Sequence, residues 1–401
     1  MTAVTLLQVT SPQVVADPYP HFAAARAQAP VQWHDGLGMW LTFTHATAST
    51  VLRTRTLGRV WVPRWPDVPM PAFRLIHVNS LLENEPPVHT RLRRLIAGAF
   101  ARGHVERLRP RVAELAERLA DRVADAGSDG GVVDLIAEYA EPLPVEVIAE
   151  LLGVPPPDRR LLRPWSNAIV KMYEYEVSDA QRSAAERASA EFVEYLRALV
   201  TERRRAPGDD LISSLIAEVD SDGARLTEDE LITTGTLLLN AGHEASVNVV
   251  GNGVSALLTH PDQLADLRSD EALVPSAVEE LIRYDSPLQL FERTALADTA
   301  VGDVVVEKGQ KIAALLGAAN RDPAVFAEPD RFDVRRDPNP HIGFGAGIHF
   351  CVGAPLARVE LQASLRTLLA RFPRLALYAA PPRRPEFVIR GVRSLPVMAV
   401  C

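Results

Sequence analysis

The sequence predicts a mainly α fold with small β-sheets. Three observations carry this. Apolar residues recur at helical spacing over long stretches, as at Leu108, Val112, Leu115, Leu119 and Val123, a stripe closed by Gly127. Alternation of apolar and polar residues is confined to short segments, such as residues 31–44 and 287–294. A glycine-broken loop, HIGFGAGIHFCVGAPLAR over residues 341–358, runs into Cys351, after which Leu356, Leu361, Leu365, Leu368 and Leu369 return to helical spacing.

The totals set bounds. The chain has 401 residues, 47% apolar and 23% charged, ordinary globular values and ample for a large core. A net charge of −8 argues against a nucleic-acid-binding protein. The basic run from Arg203 to Arg205 reads as the solvated end of a helix. There are two cysteines, Cys351 and Cys401, and no disulfide is expected between them in a reducing interior. The first residues lack the charged start and apolar stretch of a signal peptide, and no run of about 18 apolar residues occurs. A cytoplasmic, monomeric protein that binds no membrane is therefore expected. No repeat or linker divides the chain, so residues 1–401 are taken as one domain, with 1–16 poorly ordered.

Taken in order, residues 31–44 read as a hairpin turning at Asp35-Gly36. Residues 59–82, with Pro63, Pro66, Pro69 and Pro71, read as a long segment poor in regular structure, either a lid or a surface connection. A helix begins near Val88, and His89 and Arg93 share one of its faces. The stripe closed by Gly127 is core. Residues 132–152 read as a helix interrupted at Pro142 and Pro144. Residues 159–175 and 180–205 form a helix pair, with Trp165, Met172, Tyr173 and Tyr175 either core or pocket.

Residues 227–259 form a helix longer than usual, opened by a Thr227/Glu230 capping box. Leu237 to Leu239 bury it, yet Asn240-Ala241-Gly242-His243-Glu244-Ala245-Ser246 follows. Polar groups and glycine inside a buried helix cost stability, so they mark a distortion, polar packing or a functional site. His260-Pro261 ends this helix. Pro275 starts another, which holds Glu280 and Arg283 at spacing i, i+3. Strands follow at 287–294 and within 301–314, with closing strands at 375–378, 387–389 and 397–400.

A lone cysteine is most often a small buried hydrophobe. Here, unpaired N–H groups and the dipole of the helix that follows favour a thiolate, which could serve as nucleophile, redox centre or axial metal ligand. A dinucleotide loop is set aside, because Gly343-x-Gly345-x-Gly347 has the wrong third spacing.

Phe344-Gly345-x-Gly347-x-His349-x-Cys351-x-Gly353 resembles the haem-ligating signature of the cytochrome P-450 family, and the resemblance runs from about Asp17 to the C-terminus. It implies that family's fold, with haem b (iron protoporphyrin IX) buried between the long central helix and the cysteine-loop helix. Cys351 would be the metal ligand, with N–H groups near Gly353 tuning the sulfur and Phe344 and Gly345 packing beside the ring. His89, Arg93, Arg293 and His349 would bind the propionates. Ala241 and Gly242 would leave room for dioxygen. Leu237, Asn240, Leu288, Gln289, Leu290 and Val388 would border the substrate. Glu280, Arg283 and Arg331 resemble the family's buried ion network, a structural feature.

One departure stands out. Most of the family places a threonine after the acid, whose hydroxyl helps deliver protons, but here Ala245 has no side-chain donor. Ser246 lies about 100° further around the helix. A minority, including macrolactone hydroxylases of antibiotic pathways, shares Glu244-Ala245-Ser246. The resemblance implies insertion of one oxygen atom of O2 into a C–H or C=C bond of a small hydrophobic natural product. Polyketide or macrolide tailoring in secondary metabolism is the expected setting. Electrons would come from a ferredoxin and a ferredoxin reductase using NAD(P)H. Aryl coupling without insertion, or a haem sensor or carrier, are the alternatives.

Overall fold

The computed structural model describes residues 8–100, 102–218 and 225–399. Its helices in chain order are α1 (Pro12–Ala16), α2 (Tyr19–Gln28), α3 (His45–Arg53), α4 (Pro71–Val78), α5 (Val88–Ala97), α6 (Arg102–Ala126), α7 (Pro142–Leu152), α8 (Arg159–Val170), α9 (Asp179–Arg205), α10 (Leu211–Ala217), α11 (Glu228–Thr259), α12 (Pro261–Ser269), α13 (Val274–Tyr284), α14 (Leu316–Ala319) and α15 (Ala354–Arg371). The strands are β1 (Val31–His34), β2 (Met39–Thr42), β3 (Leu57–Gly58), β4 (Val132–Asp134), β5 (Leu290–Ala295), β6 (Thr299–Val301), β7 (Val304–Val306), β8 (Lys311–Leu315), β9 (Ala376–Leu377) and β10 (Pro396–Met398). They form sheets ordered β1-β2-β8-β5-β3, β4-β10-β9 and β6-β7. The mainly α architecture with small sheets is as expected.

α11 is the axis of the largest core. Its capping box is present in both directions, with Thr227 and Glu230 each bonded to the other's backbone N–H. Two glycines let neighbours approach closely. A Cβ at Gly251 would lie 2.7 Å from Ile136 Cδ1, and one at Gly253 would lie 2.6 Å from Leu281 Cδ1. α15, which follows the cysteine loop, packs on α6, α11 and α13. The hairpin of β1 and β2 forms as the alternation predicts, with Trp33 opposite Trp40.

Several expectations are corrected. Residues 8–16, expected to be poorly ordered, include α1, with Val14 and Val15 buried. The buried Arg390 guanidinium holds this segment by donating to the carbonyls of Val15 and Ala16. Residues 1–7, Val400 and Cys401 lie outside the described residues. The 59–82 segment contains α4, because Pro71 starts a helix that buries Phe73, Ile76 and His77. Residues 132–152 are not one helix: β4 pairs with β10, and a π-helical turn at Ile136–Ala140 leads into α7. α11 does end at His260-Pro261 as expected, with the addition that Pro261 begins a further helix, α12. Residues 387–389 contribute a single bridge, Leu288 to Ile389, rather than a strand.

The ion network also differs in its third member. Arg283 donates to both oxygens of Glu280, at 2.6 and 2.7 Å, and neither side chain is exposed. Arg331 does not complete it: its side chain is 56% exposed and pairs with Glu328. Buried Phe332 pins the segment and leaves Arg331 facing solvent. Arg336, beyond the turn at Asp333, folds back onto Glu280 at 3.1 Å instead. Arg331 contributes only its carbonyl, which accepts from Arg283 and Arg336.

Candidate active site

A cavity of about 730 Å³ opens between α11 and the cysteine loop, bordered also by α4, α5, β5 and the 58–70 segment. The loop is shaped by two glycines in the left-handed region, Gly345 at φ +73° and Gly347 at φ +71°. A Cβ at Gly347 would lie 2.3 Å from the Leu52 carbonyl oxygen, so this position needs glycine twice over. Cys351 donates its N–H to the Phe344 carbonyl at 3.0 Å and lies just ahead of α15, capped by Gly353. Burial pushes the thiol up, against N–H groups of Gly353 and Ala354 and the charges of Arg93 and Arg358. A metal cation bound to this sulfur would displace its proton, because a coordinating thiol is held as the thiolate. Phe344 is clamped by the Arg358 guanidinium, 4.5 Å above its ring.

The opposite wall carries Ala241, Gly242, Glu244, Ala245 and Ser246. A Cβ at Gly242 would lie 3.1 Å from Ile148 Cδ1, so its smallness also serves the packing of α7 on α11. Glu244 is buried and ion-paired with Arg384 at 3.0 Å. Arg384 in turn lies 3.7 Å from Glu141, which pairs with Arg163. His243 points the other way, towards Ser166 at 3.3 Å, and burial lowers its pKa to about 4. Glu360 of α15 lies beside Ser246, and burial, the larger effect, pushes its carboxyl up to about 8.

Three donors on this cavity lack an anionic partner. His89 Nε2 is buried with no hydrogen-bond partner, and burial first, then the charge of His349, lowers the ring to about 4. Arg293, 4% exposed, donates only to the Glu292 carbonyl at 2.8 Å, and burial lowers its pKa to about 9. Arg93 is half-buried with no carboxylate contact among the described residues. A buried cation without an anion, such as Arg293, and a buried ring nitrogen without a partner, as in His89, are both costly. These three, facing one cavity that also holds Cys351, fit a haem: a metal for the sulfur and carboxylates for the donors. His349 borders the cavity as well, but its Nε2 meets Glu85 at 2.8 Å, where the resemblance implied a propionate.

The remaining expected residues divide. Leu237, Asn240, Leu288, Leu290 and Val388 line the cavity. Gln289 does not: it is fully buried on the other face of its extended segment, with Nε2 on the Ser286 carbonyl, as strand alternation dictates between Leu288 and Leu290. Met172 and Tyr173 line the cavity, whereas Trp165 stacks on Phe192 at 5.0 Å and Tyr175 bonds Glu292. Glu360, Arg384 and Glu85 were not anticipated. Only Glu360 had a signal, an acid one helical turn beyond Leu356 on the apolar face of its helix.

This constellation defines a haem-thiolate protein. The family model Cytochrome P450 matches residues 266–385. Cytochrome P450 monooxygenase PikC of Streptomyces venezuelae is 42% identical, covering 95% of this chain and 91% of its own. The 6-deoxyerythronolide B hydroxylase of Saccharopolyspora erythraea is 40% identical over 99% of both chains. The crystal structure of P450BioI in complex with an acyl carrier protein superposes with a TM-score of 0.92 at 34% identity, covering 97% of this chain and all of that one. The chain belongs to the cytochrome P450 family. It is an oxidoreductase that incorporates oxygen from O2, with a haem-thiolate cofactor, redox partners and a small-molecule substrate. No described helix is long and apolar enough to cross a membrane.

Proposed function

We propose that this chain inserts one oxygen atom into a C–H or C=C bond of a small hydrophobic polyketide or macrolide, as a tailoring step of antibiotic biosynthesis. The observation that carries the reading is the pairing, across one largely apolar cavity, of Cys351 with the Glu244-Ala245-Ser246 wall. The macrolide hydroxylase among its relatives supports the same class. The cofactor is haem b, the electron donors a ferredoxin and an NAD(P)H-dependent reductase, and the setting the cytoplasm, with the chain acting as a monomer in a single domain.

Bound there, haem with a thiolate ligand supplies activation of dioxygen and transfer of one oxygen atom. Cys351 Sγ holds the metal, while His89, Arg93 and Arg293 hold the propionates by charge-assisted bonds. Ala241 and Gly242 keep the wall low. Ala245 offers no proton, so the proton donors are the groups around it. At neutral pH the Glu360 carboxyl keeps its proton, with Ser246 of α11 beside it. Arg384 holds the Glu244 side chain in place at the cavity edge. Ordered water and a substrate hydroxyl complete the path in place of the missing threonine. An Ala245→Thr variant with higher turnover and coupling on the native substrate would count against this.

The test is an optical titration of the ferric protein with macrolactones, flat aromatic polyketides and fatty acids, followed by mass analysis of products made with a ferredoxin and reductase. Macrolactones are expected to give a saturable low-to-high spin change and products heavier by one oxygen atom. A spin change with flat aromatics alone, or substrate consumed with no oxygen gained, would sink the reading.

A further inference from the structure

One polar cluster on the cavity wall is left idle by the chemistry above. Asn240 lies on α11 one turn before Glu244, about 6 Å along the helix axis. It is 6% exposed, borders the cavity, and its Oδ1 is buried with no hydrogen-bond partner. An unfilled buried amide is destabilising, and a leucine of similar size would pack there without that cost.

Two neighbours are set by a chain of hydrogen bonds. His77 of α4 is buried, its ring against Phe73 at 4.1 Å and stacked on Trp61 at 6.3 Å. Its Nδ1 lies 2.7 Å from the Phe73 carbonyl oxygen, a bond that only a protonated Nδ1 can make. Burial keeps the ring neutral, so Nε2 carries the lone pair. The Tyr173 hydroxyl, 3.4 Å away, donates to that nitrogen. Its oxygen is thereby left as an acceptor on a residue that borders the cavity. A void of about 10 Å³, close to the volume of one water, is bordered by His77, Tyr173 and Asn240.

We propose that Asn240, backed by the Tyr173–His77 pair, is the specificity-determining pole of this cavity and reads an aliphatic hydroxyl on the substrate. The proposal rests on the reading of the cavity as the substrate site. A hydroxyl both donates and accepts, so it fills Asn240 Oδ1 and Nδ2 together, directly or through the water-sized void. A ketone would leave Oδ1 unfilled. An ammonium group would leave Nδ2 idle and find no free carboxylate, because Glu83, the nearby acid, is committed to Arg59.

The test needs no native substrate. Alkyl imidazoles of graded chain length, ending in a methyl or a hydroxyl group, are titrated into the haem-loaded enzyme, and binding is read from the Soret shift. At one chain length the hydroxyl-ended ligand is expected to bind roughly three- to tenfold more tightly than its methyl-ended partner. Asn240→Leu should erase that advantage without weakening the methyl-ended ligand, and should hold or raise the melting temperature. Tyr173→Phe should reduce it. If methyl-ended imidazoles bind but no chain length gains from a hydroxyl, or the gain survives Asn240→Leu, the pole is wrong while the cavity reading stands. If no imidazole shifts the Soret band, the cavity reading fails and takes the pole with it.

Discussion

Arg283 and Arg293 are both almost wholly buried, yet their surroundings differ completely. Arg283 faces two oxygens of Glu280 and the carbonyls of Asn320, Pro329 and Arg331, so its donors are met from within the chain. Arg293 meets a single carbonyl and no carboxylate, with Arg59 adding repulsion. The first is a closed network whose purpose is the fold. The second is an open one, completed only by an anion from outside. Satisfaction of its donors, rather than burial alone, tells a structural arginine from a binding one.

Breaking the closed network should have the largest effect. Arg283→Ala takes from buried Glu280 the partner that meets both its oxygens and is expected to cost roughly 3–5 kcal/mol, read as a loss of folded protein or a lower denaturation midpoint. An unchanged midpoint would mean that the two networks do not differ as described.

The open network should respond in the opposite sense. Arg293→Ala removes an unpaired cation, so the apoprotein should be no less stable. The loaded protein should lose haem to a scavenger roughly 10- to 100-fold faster, the size of one or two charge-assisted bonds. Equal destabilisation of apo and loaded protein would make Arg293 merely structural.

Glu360 sharpens the comparison, being a buried acid with no cation beside it. Its pKa rises from 4.5 to about 8 on folding, so the folded state binds more protons between those values. Stability must therefore fall as pH rises through that window and level off above it. Glu360→Gln should flatten this slope in melting curves recorded across pH. It should also slow turnover and change the pH profile if Ser246 and Glu360 supply protons. An identical slope in the variant would show that Glu360 ionises freely.

The smallest effect is expected at Arg331. Its exposed pair with Glu328 is worth under about 1 kcal/mol, so Arg331→Ala should hardly move the midpoint. Arg336→Ala should lower it measurably, because Arg336 touches the buried Glu280. The reverse ranking would restore Arg331 to the network.

Local signals were legible wherever a residue's neighbours in sequence decide its role. The glycine loop, the cysteine before a helix, the α11 capping box and the His89/Arg93 pair all depend on spacing within a turn or two, and all stand where expected. Period-two alternation was legible too, although the same rule that placed Leu288 and Leu290 on the cavity turns Gln289 away from it. Residues far apart in the chain were not legible. Whether Arg331 or Arg336 reaches Glu280 depends on a turn pinned by Phe332. Arg384 meets Glu244, and Glu85 meets His349, only because separate elements converge. The sequence by itself determined the fold class and the geometry of the cysteine loop, since these rest on local backbone conformation and spacing, and the loop's resemblance to the cytochrome P-450 signature implied the oxygen-incorporating class of reaction. Only the tertiary structure decided which buried charges are paired, which are left open and which acid lies beside Ser246, because pairing across a core is a matter of distance in space, which spacing along the chain does not encode.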